Sequence, residues 1–474
     1  MLPEELVVIT ETASTAYDDV CELEEAPELP AGVVSNVAQA AVRRLLRDWG
    51  LDKSRFGSTD WNPVGDLVAK EARVVLKPNW VLHFNQSGSS LDCLITHSSV
   101  IEAVAQYVAI NQPVHITIGD APVQGCDFSS LVESCGLNQI AARINQEFGV
   151  RCEIVDFRRT VLEGATIGGH RSENRRHESN YVLFDLADQS LLEPLNWDPG
   201  QLRVTMYNPD YLNRTHTRGR HQYLIAREVI EADLVLNLPK LKTHKKAGIT
   251  GALKNLVGIN GNKEYLPHHR KGGSKSGGDC YEGSSWLKLS AENMYDVANR
   301  RSEGVLQTVA AQSAQVLLKT AAVFSGDTNL EGSWYGNDTV WRMALDLQRI
   351  VRHGCLDGSL RSVPQRTVVS ITDAIVAGEG EGPLANTPKL CGFVSGGLNT
   401  AALEWVHARL MGFDPEKIPI VREAFGPFSF PLASFTPDEI KVLLEGETIS
   451  AASVIPKDDP FVPPRGWQGH CELI

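Results

Sequence analysis

Short apolar runs recur along the chain and alternate with longer amphipathic stretches. Residues 73–76, 114–118, 152–157, 234–236 and 367–371 are near-continuous apolar runs, the pattern of parallel strands covered on both faces. Residues 33–51 (VVSNVAQAAVRRLLRDWGL) predict an amphipathic helix closed by Gly50. Val100, Val104 and Val108 stand at i, i+4 and i+8 on one face of a second helix, with Ser99 and Glu102 at capping-box spacing. Further helical patterns cover 129–148, 294–324, 334–352 beyond Asn337-Asp338, and 400–410 with Gly412 as the stop. Strands alternating with helices predict an α/β fold with mainly parallel sheets. Residues 158–222 read as irregular and polar, and 272–285 (GGSKSGGDCYEGSS) as a mobile segment of the kind that serves as a lid. The expected division is an acidic N-terminal segment 1–30, an α/β domain 31–275 and a second α/β domain 276–474. An active-site cleft is expected between the two domains.

The chemistry concentrates where strands stop. The first run ends in Lys77-Pro78-Asn79, the second in Gly119-Asp120, and the last in Thr372-Asp373. After the run 234–236, Pro239 ends the pattern, and Lys240, Lys242, His244, Lys245 and Lys246 follow, then Gly251-Ala252-Leu253-Lys254-Asn255 and His268-His269. Ligands of open α/β sheets bind just outside the carboxyl ends of the strands, so these groups predict one cleft. Lys77, Asn79, Lys240, Lys242 and Asn255 would fix an anion there. Thr96 and His97 would add to it from a helix N-terminus, where free N–H groups favour anions, although simple helix capping accounts for them as well. His244 suits proton transfer near neutral pH. Asp120 and Asp373 would serve as a base or as Mg²⁺ ligands, or merely close turns.

The residues LPKLKTH…TGALKN…G, with Lys77-Pro78-Asn79, Gly119-Asp120, Thr372-Asp373-Ala374 and Gly382-Pro383, resemble the domain of unknown function 362 family. The resemblance runs from about residue 74 to 418. Many members carry ferredoxin-type cysteine clusters, and this chain has no such cluster. A more distant resemblance is to the nickel-pincer lactate racemase family. It rests on His244, Ala247-Gly248 and the turn 250–254, with Lys254 ten residues after His244. That resemblance implies Lys254 as a cofactor anchor, His244 as the proton-transfer group, and His268 or His269 as the metal ligand. The chain departs from that family at Ala252, at His97 where the family has an Arg, and in the absence of a His beside Gly119.

Composition narrows the function classes. The 474 residues carry 45 Lys plus Arg against 58 Asp plus Glu, a formal net charge of −13, which argues against nucleic-acid or anionic-membrane partners. No apolar run approaches a membrane span, and the acidic N-terminus is no signal peptide. Nine scattered cysteines without a C-x-x-C pair fit reduced thiols in a cytoplasm. The expected function is an enzyme on a small anionic hydroxy compound (a hydroxy acid, sugar acid or polyol phosphate), of isomerase, epimerase or hydride-transfer type. The alternatives are a Mg²⁺-dependent transferase or ligase with Asp120 and Asp373 on the ion, and a non-catalytic carrier of a metal or cofactor. A divalent metal is expected, magnesium ahead of a nickel pincer on Lys254, and a homodimer is compatible with the sequence.

Overall fold

A computed structural model of the chain describes residues 2–473 except 18, 21–25, 31–32, 34, 164–169, 174–175, 196–199, 205–206, 302–303, 326–328 and 457–458. Its centre is an eleven-stranded, mainly parallel sheet. Four strands whose sequence ends in polar residues, or carries them midway, stand side by side and parallel: Thr367–Glu381, Leu234–Leu238, Arg73–Pro78 and His115–Asp120, with Cys152–Asp156 beyond. Alternating side chains of these strands feed two hydrophobic layers. Val75 and Val235 enter one, with the helices Val340–His353 and Thr400–Leu410. Val74, Leu76, Leu234 and Leu236 enter the other, with Val37–Asp48, Ser98–Ile110 and Leu137–Phe148. The result is helix, sheet, helix, as the double-sided apolar runs require.

Several expectations are corrected. The sheet takes strands from both sides of residue 275, so the expected pair of separate sheets gives way to one. The acidic N-terminal segment is not an appendage. Its strand Leu6–Glu11 lies between Ala385–Gly397 and Lys441–Leu444, and Glu28 pairs with the buried Arg43 at 2.6 Å. Residues 21–25 of that segment lie outside the described residues. Lysines 240 and 242 do not sit in a loop. Lys240–His244 is itself a buried strand, parallel to Thr367–Glu381 and antiparallel to Gly248–Thr250. Gly248 makes that hairpin possible with φ +82° and the Trp467 ring 3.1 Å from where a Cβ would sit. The region 158–222 contains a small sheet of Tyr181–Asp185, Arg220–Ala226 and His216–Thr217. The supposed lid is a laced loop: Ser274 N–H donates to Tyr281 O at 3.0 Å, Cys280 N–H to Gly272 O at 3.0 Å, and Asp279 is buried against Arg270 and Thr339. The Pro-rich tail packs on the protein, and the buried Trp467 donates its indole N–H to Lys245 O at 2.9 Å.

Candidate functional site

The strand ends are joined by an amide network. Asn255 Oδ1 accepts from Lys77 Nζ and from Asn79 Nδ2, both at 3.0 Å, and its Nδ2 donates to Lys77 O at 3.0 Å and Asn237 Oδ1 at 2.8 Å. Thr96 Oγ1 bridges the same region, donating to Leu238 O at 2.6 Å and accepting from Asn79 N–H at 2.8 Å. Asn255 is held there by the short helix Ala252–Asn255, whose Ala252 N–H donates to the buried Glu404 carboxylate at 2.6 Å. Gly251 precedes it because a Cβ would stand 2.2 Å from that carboxylate. The side-chain oxygen of Asn79 is buried with no hydrogen-bond partner.

Two lysines in this region are neutralised by carboxylates. Lys77 Nζ meets Asp120 Oδ1 at 2.8 Å, and Asp120 also accepts from Ala121 N–H at 2.8 Å and Trp80 N–H at 2.6 Å. Burial pushes the Lys77 ammonium below its ordinary range and the Asp120 carboxyl above its own, and their mutual attraction opposes both shifts. Gly258 backs this pair so closely that a Cβ would overlap Asp120 Oδ1 at 1.9 Å. Lys240 Nζ meets Asp373 Oδ2 at 2.5 Å and Tyr17 OH at 2.8 Å. Asp373 further accepts from Tyr17 OH at 2.6 Å and His97 N–H at 2.9 Å, and the Tyr17 ring stacks on His97 at 3.8 Å. Asp373 lies inside its strand rather than at its end. Both carboxylates are therefore occupied on both oxygens. A role as free base or Mg²⁺ ligand would require Asp120 or Asp373 to release the lysine it pairs with. His97 is the N-cap of Ser98–Ile110, its Nδ1 accepting from Ser99 N–H at 3.3 Å, so the helix starts before the expected Ser99–Glu102 box.

Lys242, Lys254 and Lys263 differ from these two. Lys242 Nζ donates to Leu94 O, and Lys263 Nζ donates to Ala121 O at 2.8 Å. Among the described residues, Lys242, Lys254 and Lys263 meet no carboxylate, and Lys254 makes no side-chain hydrogen bond. Lys254 lies within electrostatic reach of Lys263, Lys246 and Lys77, and Lys242 of Lys240 and Lys254, while the Asp120 carboxylate attracts Lys242 and Lys263 without pairing with either. Burial, reinforced by like charge, pushes Lys242 well below its ordinary value and Lys254 down to about 7. Burial also brings Lys246 and Lys263 down to about 8. The same causes hold His244 and His268 well below 6.5, so both rings are neutral near pH 7.

The hydrogen bonds fix the tautomers. His244 Nδ1 accepts from Lys246 N–H at 3.0 Å and Ala247 N–H at 3.2 Å, which places the proton on Nε2 and makes that atom a donor rather than a base. His268 is the reverse, its Nδ1–H donating to Leu266 O at 2.7 Å, so Nε2 carries a lone pair. His269 points elsewhere. With Cys280 and Glu292 it forms a cluster whose ligand-type atoms lie within 4.8 Å of one another. Lys263, Tyr17 and Glu404 escape the sequence reading; the first stands in the same cationic stretch and lies within its reach.

Two cavities lie away from these lysines. One of about 480 Å³ is lined by Leu191, Tyr335, Trp341, Arg342, Arg422 and Phe428 among others. A second of about 190 Å³ lies around Gln348, Arg352 and Arg366.

The sequence profile of a domain of unknown function (DUF362) matches residues 74–176 and 200–409, more than half of the chain. The chain belongs to the DUF362 family. The match takes in Lys77, Asn79, Asp120, the whole lysine strand with Lys254 and His268, and Asp373, that is, every member of the chamber except Tyr17. A thylakoid-associated protein of Synechocystis sp. (strain ATCC 27184 / PCC 6803 / Kazusa) is 24% identical over 229 residues, 48% of this chain and 46% of that protein. The match thus spans less than half the length of that relative. Among the described residues no helix is long and apolar enough to cross a membrane, and eight cysteines are free thiols.

Proposed function

We propose that this chain is an enzyme whose lysine chamber holds a small anionic hydroxy compound, such as a hydroxy acid, a sugar acid or a polyol phosphate, in an aqueous compartment such as the cytoplasm. One observation carries the reading: Lys254 is buried within electrostatic reach of Lys242 and Lys263, and among the described residues none of the three forms an ion pair with a carboxylate. An unpaired buried charge costs several kcal/mol, and an anion between the three supplies the missing counter-charge. Lys254, brought to about 7, exchanges a proton at neutral pH. His244 Nε2–H donates a hydrogen bond to a developing oxyanion, and His268 Nε2 accepts one from a hydroxyl. Such a set suits proton abstraction and return beside a carboxylate or carbonyl, the chemistry of an isomerase or epimerase. The racemase resemblance adds a nickel pincer on Lys254 with His268 as ligand. The unpartnered Lys254 amine and the His268 lone pair fit it, and intact-mass spectrometry decides it by an adduct on Lys254.

Calorimetric titration with hydroxy acids, sugar acids and polyol phosphates tests the binding. Saturable binding is expected for one of these classes, weakened at least tenfold in Lys254→Met. Solvent deuterium entering the bound compound at carbon tests the proton transfer. Absence of binding by every class, in protein of correct fold, overturns the reading.

A further inference from the structure

Outside the lysine chamber, three residues of different donor type meet from three separate elements. His269 belongs to the two-residue strand His269–Arg270, paired with Leu202–Arg203. Cys280 belongs to the laced loop that follows, and Glu292 to the helix Trp286–Asn299. One imidazole nitrogen, the thiol sulfur and one carboxylate oxygen lie within 4.8 Å of one another, and all three residues are buried. Their surroundings hold them in place. Cys280 Sγ accepts from Glu331 N–H at 3.1 Å, and the Glu292 carboxylate accepts from Gly272 N–H at 3.1 and 3.2 Å. Gly332 lets the imidazole close in, since a Cβ there would stand 2.8 Å from the His269 Cβ.

Within the cluster the Cys280 thiol and the Glu292 carboxylate share a hydrogen bond. His269 is 4% exposed, and among the described residues its Nδ1 has no hydrogen-bond partner. A buried imidazole nitrogen left unpaired is costly. A cation beside a thiol and a carboxylate would use it.

We propose that His269, Cys280 and Glu292 bind one divalent metal ion of borderline softness, of which zinc is the type. The donor set of one nitrogen, one sulfur and one oxygen selects such an ion over magnesium or calcium, which take oxygen alone. Charge closes as well: the thiolate and the carboxylate together neutralise a dication inside a buried site. Tetrahedral bonds of about 2.0–2.3 Å place ligand atoms about 3.3–3.8 Å apart, so loading draws the three donors inward by about 1 Å. The fourth position is left to a water or an outside oxygen. The site ties the strand His269–Arg270, the loop and the helix together behind Lys246, whose ammonium lies within electrostatic reach of Cys280, Asp279 and Glu331. It therefore stiffens one wall of the lysine chamber without sharing a residue with it.

The test uses the full chain purified without chelator. Elemental analysis is expected to find about one zinc per chain. Cys280→Ser and His269→Gln lower the affinity by roughly 10–100-fold or more, whereas Lys254→Met keeps the metal. Dialysis against a chelator followed by Co²⁺ gives the second readout. The intact protein develops a thiolate-to-cobalt charge-transfer band in the near ultraviolet, and Cys280→Ser, checked for fold by circular dichroism, lacks it. Wild-type protein that carries no metal and takes up no Co²⁺ overturns the proposal. So does Co²⁺ uptake with an unchanged spectrum in Cys280→Ser. Sulfate binding measured on Cys280→Ser and His269→Gln keeps this outcome separate from that of the lysine chamber, since neither substitution replaces one of its lysines.

Discussion

Lys77 and Lys240 each meet a carboxylate at hydrogen-bond distance, whereas Lys242, Lys254 and Lys263, buried in the same chamber, meet carbonyl oxygens or nothing. The sequence draws them from the same few motifs, and their environments are opposite. The first kind is fixed, with Asp120 and Asp373 saturated by backbone N–H groups and Tyr17. The second kind is frustrated: none has a paired carboxylate, and the strongest charge interaction of Lys242 and of Lys254 is with another lysine. Fixed pairs shape a site, and frustrated ones await a ligand. The same residue type thus divides into scaffold and reagent according to its nearest oxygen.

The widest gap between the two kinds should open on removing a counter-charge. Asp373→Asn or Asp120→Asn strands a buried ammonium and is expected to cost about 3–5 kcal/mol, read by urea unfolding. Lys242→Met, which removes an unpaired charge, is expected to leave stability unchanged or to raise it by about 1 kcal/mol. Equal losses in both would erase the distinction.

Sulfate, which stays dianionic across the working range, should stabilise the protein by about 2.7 kcal/mol at a hundred times its dissociation constant. The increase in melting temperature should vanish in Lys254→Met and survive in a surface control. A stabilisation identical in the variant would place the anion elsewhere.

Titration sharpens the contrast further. Lys254 titrates at about 7 in the folded chain against 10.5 in the unfolded one. Between those values the unfolded state binds the extra proton, so stability without ligand rises with pH by up to about 1.4 kcal/mol per unit. Below pH 7 both states are protonated and the slope vanishes. Sulfate affinity runs the other way, falling as pH rises through 7 and the ammonium is lost. The difference between wild type and Lys254→Met isolates this group; parallel curves would refute the assignment.

The smallest effect belongs to a pair at the surface. Arg143 binds Glu102 through two bonds of 2.6 and 2.7 Å, yet its side chain is 43% exposed. Arg143→Ala should cost less than about 1 kcal/mol and weaken further in salt, showing that burial rather than geometry gives the Asp120 and Asp373 pairs their weight.

Much of this architecture was legible in the residues. The double-sided apolar runs announced parallel strands, and the recurrence of polar residues after them announced a common end. Lys240–His244 was misread because Pro239 interrupts the apolar run. The alternation Lys-Leu-Lys-Thr-His carried the strand period all along. Asp373 was taken for a strand end because Thr372 and Asp373 broke the hydrophobic pattern, yet the backbone continues through them to Glu381. Other parts left no local trace. Tyr17 reaches Asp373 across 356 positions, and Glu404 caps a helix 152 positions away. His269, Cys280 and Glu292 are spaced too widely for any short metal motif, and only folding brings them together.

The strand Leu6–Glu11 has a consequence for how the chain is made. Its two neighbours are Ala385–Gly397 and Lys441–Leu444, so it leaves the ribosome long before either exists. At about 5–20 residues per second, the wait is on the order of tens of seconds. Throughout that time the backbone groups of Val7, Val8 and Ile9 lack their sheet partners, and of the covering layers only the early helix Val37–Asp48, which packs on Val8, is already made.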